Sequence, residues 1–389
     1  MHLTTTRADL QEVYGWFANN DQHLGYRRLL DLAIDTGNDT IYEETLRFCD
    51  WYDDHGTSDS NMLLPKVESL LQLIENSQFT HAPEHAAAKL TAKGLGKTYA
   101  GGNFRLKNID LSLYAGGITG LVGENGNGKT TLLRLLYGEL APDAGEISYG
   151  LANLPERHTP YDIKTRLAFI AQRPDPWYGS LMENLQFTAS HYGFRGKRNI
   201  LWTEMICARM GLRPFRNYTW QRISSGYKMR FELARTLLKK PEVLLLDEPL
   251  ANLDVLAQQV ILEDLRYLAL SKHMPLAIIL SSQQLYEVEK VSREVIFLKQ
   301  GEPKYQDTTP GKKSDGLIIE LETTASREEI QRVFTPLGLT QTSFNGGVYL
   351  LHFDETANLS SVLMAIGEQR IAVRYLRDIS SSSRRFFQA

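Results

Sequence analysis

Cysteine is almost missing from this 389-residue chain, which has only Cys49 and Cys207, far apart and in unrelated surroundings. That excludes a disulfide framework and a cysteine-based metal cluster, and it leads us to expect reduced thiols in a cytosolic compartment. Long hydrophobic runs are missing too. The strongest, Val243–Leu246 and Leu276–Leu280, have the length of buried strands, whereas about 20 residues are needed to span a bilayer. Met1 to Arg7 carry no apolar signal segment, so direct membrane insertion is not expected and any membrane contact should go through a partner. Nor is there an excess of one charge. A net charge of −3 gives no general attraction for nucleic acid or anionic lipid, and nucleic acid is not an expected partner.

What is present is a globular composition, 42% hydrophobic and 23% charged, in a chain long enough for two or three domains. In residues 1 to 87, Ala8–Phe17, Leu24–Ile34, Ile41–Tyr52 and Leu63–Ile74 each return apolar residues at three- and four-residue steps, which predicts four helices. Trp16, Phe17, Phe48, Trp51 and Tyr52 read as packing residues, and His81–Ala88 as a linker. The stretch 88–303 alternates strand and helix patterns. Strands are expected at Leu106–Leu113, Ile118–Val122, Glu146–Gly150, Arg166–Ala171, Val243–Leu246 and Leu276–Leu280, with helix from Leu181 to about Gly211, which predicts a mainly parallel sheet covered by helices. The sequence turns polar from Gln300 to Gly316, giving a linker at 304–314. Residues 315–389 then read β-α-β-β-α-β, with hairpin-turn residues at Asn345-Gly346-Gly347 and a tail. Nothing there has the pattern of an active site, so a structural or regulatory role is expected.

The chemistry is concentrated at Gly123-Glu-Asn-Gly-Asn-Gly-Lys-Thr-Thr131, between the apolar strand Ile118–Val122 and the helical run from Leu132. A buried strand, a glycine-rich turn and a helix opening on Lys-Thr make a phosphate cradle. Main-chain N–H groups from Asn125 to Thr131, including Gly126, Asn127 and Gly128, turn inward around an anion, and the helix N-terminus adds donors and a positive dipole end. Lys129 would reach the terminal phosphates and Thr130 would place its hydroxyl on Mg2+. Asp247-Glu248 is the second anchor. Asp247, at the tip of a buried strand, would hold Mg2+, and Glu248 would orient or deprotonate the attacking water. The expected ligands are ATP and Mg2+.

With these anchors in place, the sequence resembles the ATP-binding cassette ATPase family over roughly residues 93 to 303. Ile223-Ser224-Ser225-Gly226-Tyr227 looks like its signature loop, Gln172 stands at the Q-loop position, and Ala251-Asn252-Leu253-Asp254 resembles the D-loop. Tyr99 lies about 24 residues ahead of the phosphate loop, like the family aromatic that stacks on adenine. The resemblance implies a P-loop α/β nucleotide-binding domain, here with an N-terminal helical domain and a ferredoxin-like α+β domain at the C-terminus. It implies hydrolysis of ATP between two copies paired head to tail, with Ser224, Ser225 and Gly226 of one touching the γ-phosphate held by the other, and Gln172 sensing Mg2+ and the attacking water. The plain alternative for Ser224 is a helix N-cap.

Two positions depart from the family pattern. Ser225 replaces a glycine but can still present its N–H. Gln283 stands where the family has a histidine contacting the γ-phosphate, and an amide cannot become a cation near neutral pH, so slower turnover is expected. Val373–Ser380 and the tail to Phe387, Lys228 and Arg230 after the signature, and Leu181–Leu185 are similar to ATPase subunits of bacterial type-2 exporters. That resemblance implies a separate transmembrane permease partner and a position at the inner face of the cell membrane, with Tyr178, Leu181, Met182 and Leu185 forming a cleft for the permease or packing internally. The alternative is a cytosolic mechanical or regulatory cassette ATPase acting on a soluble protein or nucleic acid.

Overall fold

The computed structural model describes residues 7–55, 60–77, 87–99, 104–272, 274–307, 316–345 and 347–380. Four helices come first: α1 (Arg7–Ala18), α2 (Gln22–Asp35), α3 (Asp39–His55) and α4 (Ser60–Glu75). The cassette follows as β1 (Leu90–Thr98), β2 (Arg105–Leu113), β3 (Ile118–Val122), α5 (Lys129–Leu136), β4 (Ala144–Tyr149), α6 (Pro160–Arg166) and β5 (Leu167–Ile170). Helices α7 (Leu181–His191), α8 (Gly196–Arg209) and α9 (Ser225–Leu237) lead to β6 (Val243–Leu246), α10 (Val255–Ala269), β7 (Ala277–Ser282), α11 (Leu285–Glu289), β8 (Glu294–Lys299) and β9 (Glu302–Asp307). Last come β10 (Ile318–Thr323), α12 (Arg327–Phe334), β11 (Leu339–Asn345), β12 (Val348–Phe353), α13 (Leu359–Glu368) and β13 (Val373–Asp378).

The central sheet runs β5-β6-β7-β3-β8-β9, parallel except for β9. Both its faces are covered, and the period of two in each strand divides its side chains between them. Leu244 and Leu246 of β6, Ile278 and Leu280 of β7, and Ile118 and Val122 of β3 enter the core shared with α1–α4 and α7–α10. Val243, Leu245, Ala277, Ile279 and Leu121 enter a second core with α5 and the antiparallel sheet β2-β1-β4. The C-terminal sheet, ordered β11-β12-β10-β13 with antiparallel neighbours, is the ferredoxin-like arrangement, closed over its own core around Ile319, Ile330, Phe334 and Leu351.

The N-terminal helices sit on the cassette helices. Charged contacts join them: Arg27 to Asp264 and to Glu263 (2.9 Å), Arg209 to Asp31, and Arg213 to Asp53 (2.8 Å). Asp264 is 2% exposed and also takes Arg209 Nη1 at 2.5 Å. Both cysteines are buried, and burial pushes the Cys49 thiol up to about 11 and that of Cys207 to about 12, so neither is a ready nucleophile.

The structure departs from the sequence reading in two expectations and adds one strand. The polar stretch read as linker from Gln300 opens with β9, which pairs antiparallel with β8 across the turn Gln300-Gly301, where φ is 53° and 78°. Its sequence opens Glu302-Pro303-Lys304, the charged residues and proline that edge strands carry, and these hide the strand pattern. β1 shows no regular alternation, because register shifts at Ala92/Leu95 and Leu95/Lys97 break its period. Arg166, expected to begin a strand, ends α6, a helix opened by Pro160 and a Thr159–Asp162 capping box. His81 to residue 86, residues 308–315, Gly346 and the tail from Ser381 lie outside the described residues.

Candidate functional site

The site forms at the C-terminal ends of the parallel strands. β3 runs into the loop from Gly123, and α5 begins at Lys129 with Gly128 as N-cap at φ 98° and Gly126 at φ 82°. A Cβ at Gly123 would come within 2.5 Å of the Leu298 carbonyl, and one at Gly128 within 2.5 Å of the Phe104 ring. Glycine is therefore required at both positions, at Gly128 for its left-handed backbone as well. Asn127 pins the loop from outside, its Oδ1 accepting from the Gln300 main-chain N–H at 2.7 Å. Asn125 and Gly126 are exposed at the loop tip.

Lys129 is buried at the root of the cradle. Its Nζ donates to the Gly123 carbonyl at 2.6 Å and lies 3.0 Å from Glu248 Oε1. Thr130 Oγ1 donates to Asp247 Oδ2 at 2.8 Å, although β7 lies between their strands in the sheet. Ser281, at the end of β7, joins the two acids: its hydroxyl donates to Asp247 Oδ1 at 3.0 Å and accepts from the Glu248 main-chain N–H at 2.8 Å. Glu248 has φ of 47°, a conformation costing of order 1–3 kcal/mol for a non-glycine residue. The Ser281 bond helps to hold it there. Its Oε2 accepts from Gln283 Nε2 at 2.7 Å and from Gln172 Nε2 at 3.0 Å.

Lys129, Thr130, Gln172, Asp247, Glu248 and Gln283 are thus brought together. Gln283 is directed at the Glu248 carboxylate. The signature residues occupy a different neighbourhood: Ser224 caps α9, its side chain accepting from the Tyr227 N–H at 3.5 Å, so the plain N-cap contact is present. Ser225 Oγ donates to the Asn252 carbonyl at 3.1 Å, tying the signature to the D-loop segment, and its φ is not left-handed. Gly226 packs close to Ala257, where a Cβ would lie 3.4 Å from that of the alanine. Tyr99, just beyond β1, is 41% exposed, and Thr131 is half-buried on α5. Of the residues expected at a permease cleft, Leu181, Met182 and Leu185 are buried in the core that α7 shares with α8 and α9. Tyr178 is 88% exposed, and Phe187, which sequence reasoning did not single out, is 71% exposed. Sequence reasoning also missed Ser281, whose only sequence signal was its place just before Gln283 at a strand end.

The donor set fits ATP and Mg2+. The loop offers main-chain N–H groups in a space too narrow for side chains, an ammonium sits at its root, and a hydroxyl–carboxylate pair supplies the hard oxygens that Mg2+ takes. Fold and site together define a P-loop ATPase. The family model described as ABC transporter matches residues 106–251. The aliphatic sulfonates import ATP-binding protein SsuB of Pseudomonas putida is 36% identical over 216 residues, covering 55% of this chain and 74% of that protein. The ABC transporter ATP-binding protein NatA of Bacillus subtilis is 28% identical over 203 residues, 52% of this chain and 80% of that protein. Among solved structures, cbiO1 of Clostridium perfringens superposes with a TM-score of 0.52 at 24% identity, covering 57% of this chain and 88% of that one, a likeness of fold. The chain belongs to the ABC transporter family, among its ATP-binding proteins. It is a Mg2+-dependent ATPase. Among the described residues no helix is long and apolar enough to cross a membrane.

Proposed function

We propose that this chain is the ATP-hydrolysing subunit of an exporter, driving a separate membrane permease as a head-to-tail pair of copies around two ATP-Mg2+. The observation that carries this is the meeting of Lys129, Thr130, Asp247 and Glu248 at one end of the sheet, while Ser224–Gly226 open a helix elsewhere on the same chain. One loop leaves a side of the γ-phosphate open, and a helix N-terminus from a second copy would supply donors there.

Thr130 and Asp247, with Gln172 close by, would hold Mg2+, which would supply positive charge against the charge developing on the phosphates. Lys129 adds positive charge at the terminal phosphates. Glu248 orients the attacking water and takes its proton, and Gln283 and Gln172 fix the carboxylate by donating to Oε2. Tyr99, exposed beyond β1, would stack on the adenine. The sequence and βαββαβ pattern of the C-terminal unit support export, whereas SsuB is named for import. We also hold that residues 1–87, and the unit from residue 315, are attachments to the cassette with their own tasks, and that Tyr178 stands at the permease contact.

Gln283 favours a second reading, a regulatory cassette ATPase with little turnover that acts on a soluble protein or nucleic acid. Affinity isolation from native membranes after gentle detergent extraction separates the two. Recovery of a multi-span protein is expected, and reproducible recovery of only soluble proteins or RNA would overturn the exporter reading.

A further inference from the structure

The loop that leads from Gln172 to α7 is fastened at two points. At the first, Gln172 Nε2 donates to Glu248 Oε2 at 3.0 Å. At the second, Trp177 Nε1 donates to Glu232 Oε1 of α9 at 2.9 Å. Arg235, the next turn of α9, closes the cluster. Its Nη2 donates to Glu232 Oε2 at 2.6 Å, and its guanidinium lies 4.6 Å from the centre of the Trp177 ring. Each of the three side chains therefore touches the other two.

Glu232 is 1% exposed. A buried carboxylate persists only when paired and hydrogen-bonded, and an apolar residue of similar size often stabilises a fold as well. What the acid adds here is a fixed place for Trp177. Between the two fastenings run Arg173, Pro174, Asp175 and Pro176, which make no hydrogen bond or ion pair among the described residues. Each proline holds its φ at about −65° and restricts the residue before it. The connection is short and stiff, so a displacement of Trp177 is passed on to Gln172. On its other side the cluster sits on the helix whose N-cap is Ser224 of the signature.

We propose that Trp177 and Glu232 are positioning residues of the ATPase. The Trp177–Glu232–Arg235 cluster holds the end of the loop on α9 and, through the two prolines, sets Gln172 against the Glu248 carboxylate. The orientation of the water's base then follows the position of the signature helix of the same chain. This rests on the ATPase activity and on the role given to Gln172, and not on the export reading.

The test uses the full chain, with steady-state phosphate release for kcat and titration with a fluorescent ATP analogue for affinity. Trp177→Phe removes the indole N–H and keeps a ring for Arg235. It should lower kcat about 3- to 10-fold while ATP affinity stays within about twofold. On a Gln172→Ala background the same change should lower kcat by less than about twofold, because residues acting through one chain of contacts do not add. Glu232→Leu removes the acceptor from the other side and carries the same test should Trp177→Phe fail to fold. Glu232→Gln keeps an oxygen for the Trp177 N–H and should retain most of the turnover. The proposal is overturned if folded Trp177→Phe or Glu232→Leu turns over as the wild type does. It is overturned equally if the loss falls on ATP affinity, or if kcat drops by the same factor with and without Gln172. Wild-type turnover in Gln172→Ala alone would overturn it for a different reason, by removing the role given to Gln172.

Discussion

Removing the amide of Gln283 should slow chemistry more than it weakens nucleotide binding. Gln283 Nε2 donates to Glu248 Oε2 at 2.7 Å, the oxygen that also takes Gln172 at 3.0 Å, while Oε1 faces Lys129 at 3.0 Å. A hydrogen bond to a charged group contributes about 1.5–3 kcal/mol net. Gln283 is exposed and Gln172 stays on the same oxygen, so the lower end applies. A barrier raised by about 1.4 kcal/mol slows turnover about tenfold. Gln283→Ala should therefore lower kcat about tenfold and leave ATP affinity within about twofold. Gln283→His keeps a donor and adds the option of positive charge near neutral pH, so kcat should rise about 2- to 10-fold. Steady-state phosphate release gives kcat, and equilibrium titration with a fluorescent ATP analogue gives affinity. Full turnover and affinity in Gln283→Ala would refute a role for the amide in positioning Glu248.

Lys129→Ala should lose turnover by about 100-fold or more at saturating ATP while its circular dichroism stays that of the wild type, because charge at the phosphates is lost and the fold is not. Equal turnover would count against the cradle. Asp264→Ala should destabilise the chain by about 3–5 kcal/mol in denaturant titration, since Arg27 and Arg209 would be left buried without their shared partner. Burial acts to raise the Asp264 carboxyl, but Arg209 and Arg27 outweigh it and hold it below its ordinary value. A carboxyl depressed in the folded state stabilises above its unfolded pKa, and that stability is lost as pH falls through the folded value. Acid should therefore narrow the gap between wild type and Asp264→Ala, and a gap that widens on acidification would contradict the pairing.

What was legible in the sequence followed from distance along the chain. The cradle from Gly123 to Thr131 is contiguous, so residue types and spacing sufficed to place it. β6 and β7 were legible because strands buried on both faces carry continuous apolar runs, Val243–Leu246 and Leu276–Leu280. The bonds from Gln172 and Gln283 to Glu248 span 76 and 35 residues and depend on strand order, which composition does not reveal. Ser281 was hidden for the same reason. Leu181, Met182 and Leu185 carry a helical period, but a period gives one apolar face without saying whether a partner or the chain itself covers it. The docking of α1–α4 rests on buried ion pairs such as Arg209–Asp31, 178 residues apart, which no local pattern announces.

The most direct measurement is analytical sedimentation of Glu248→Gln with and without ATP-Mg2+. The substitution removes the water's base and leaves Lys129, Thr130 and Asp247 in place, so ATP should bind and persist. A monomer without nucleotide and a dimer with ATP-Mg2+ are predicted, with the dimer lost when Ser224→Arg is added to block the signature. A protein that stays monomeric at high protein and ATP concentration, or a dimer indifferent to ATP and to Ser224→Arg, would contradict hydrolysis between two opposed copies.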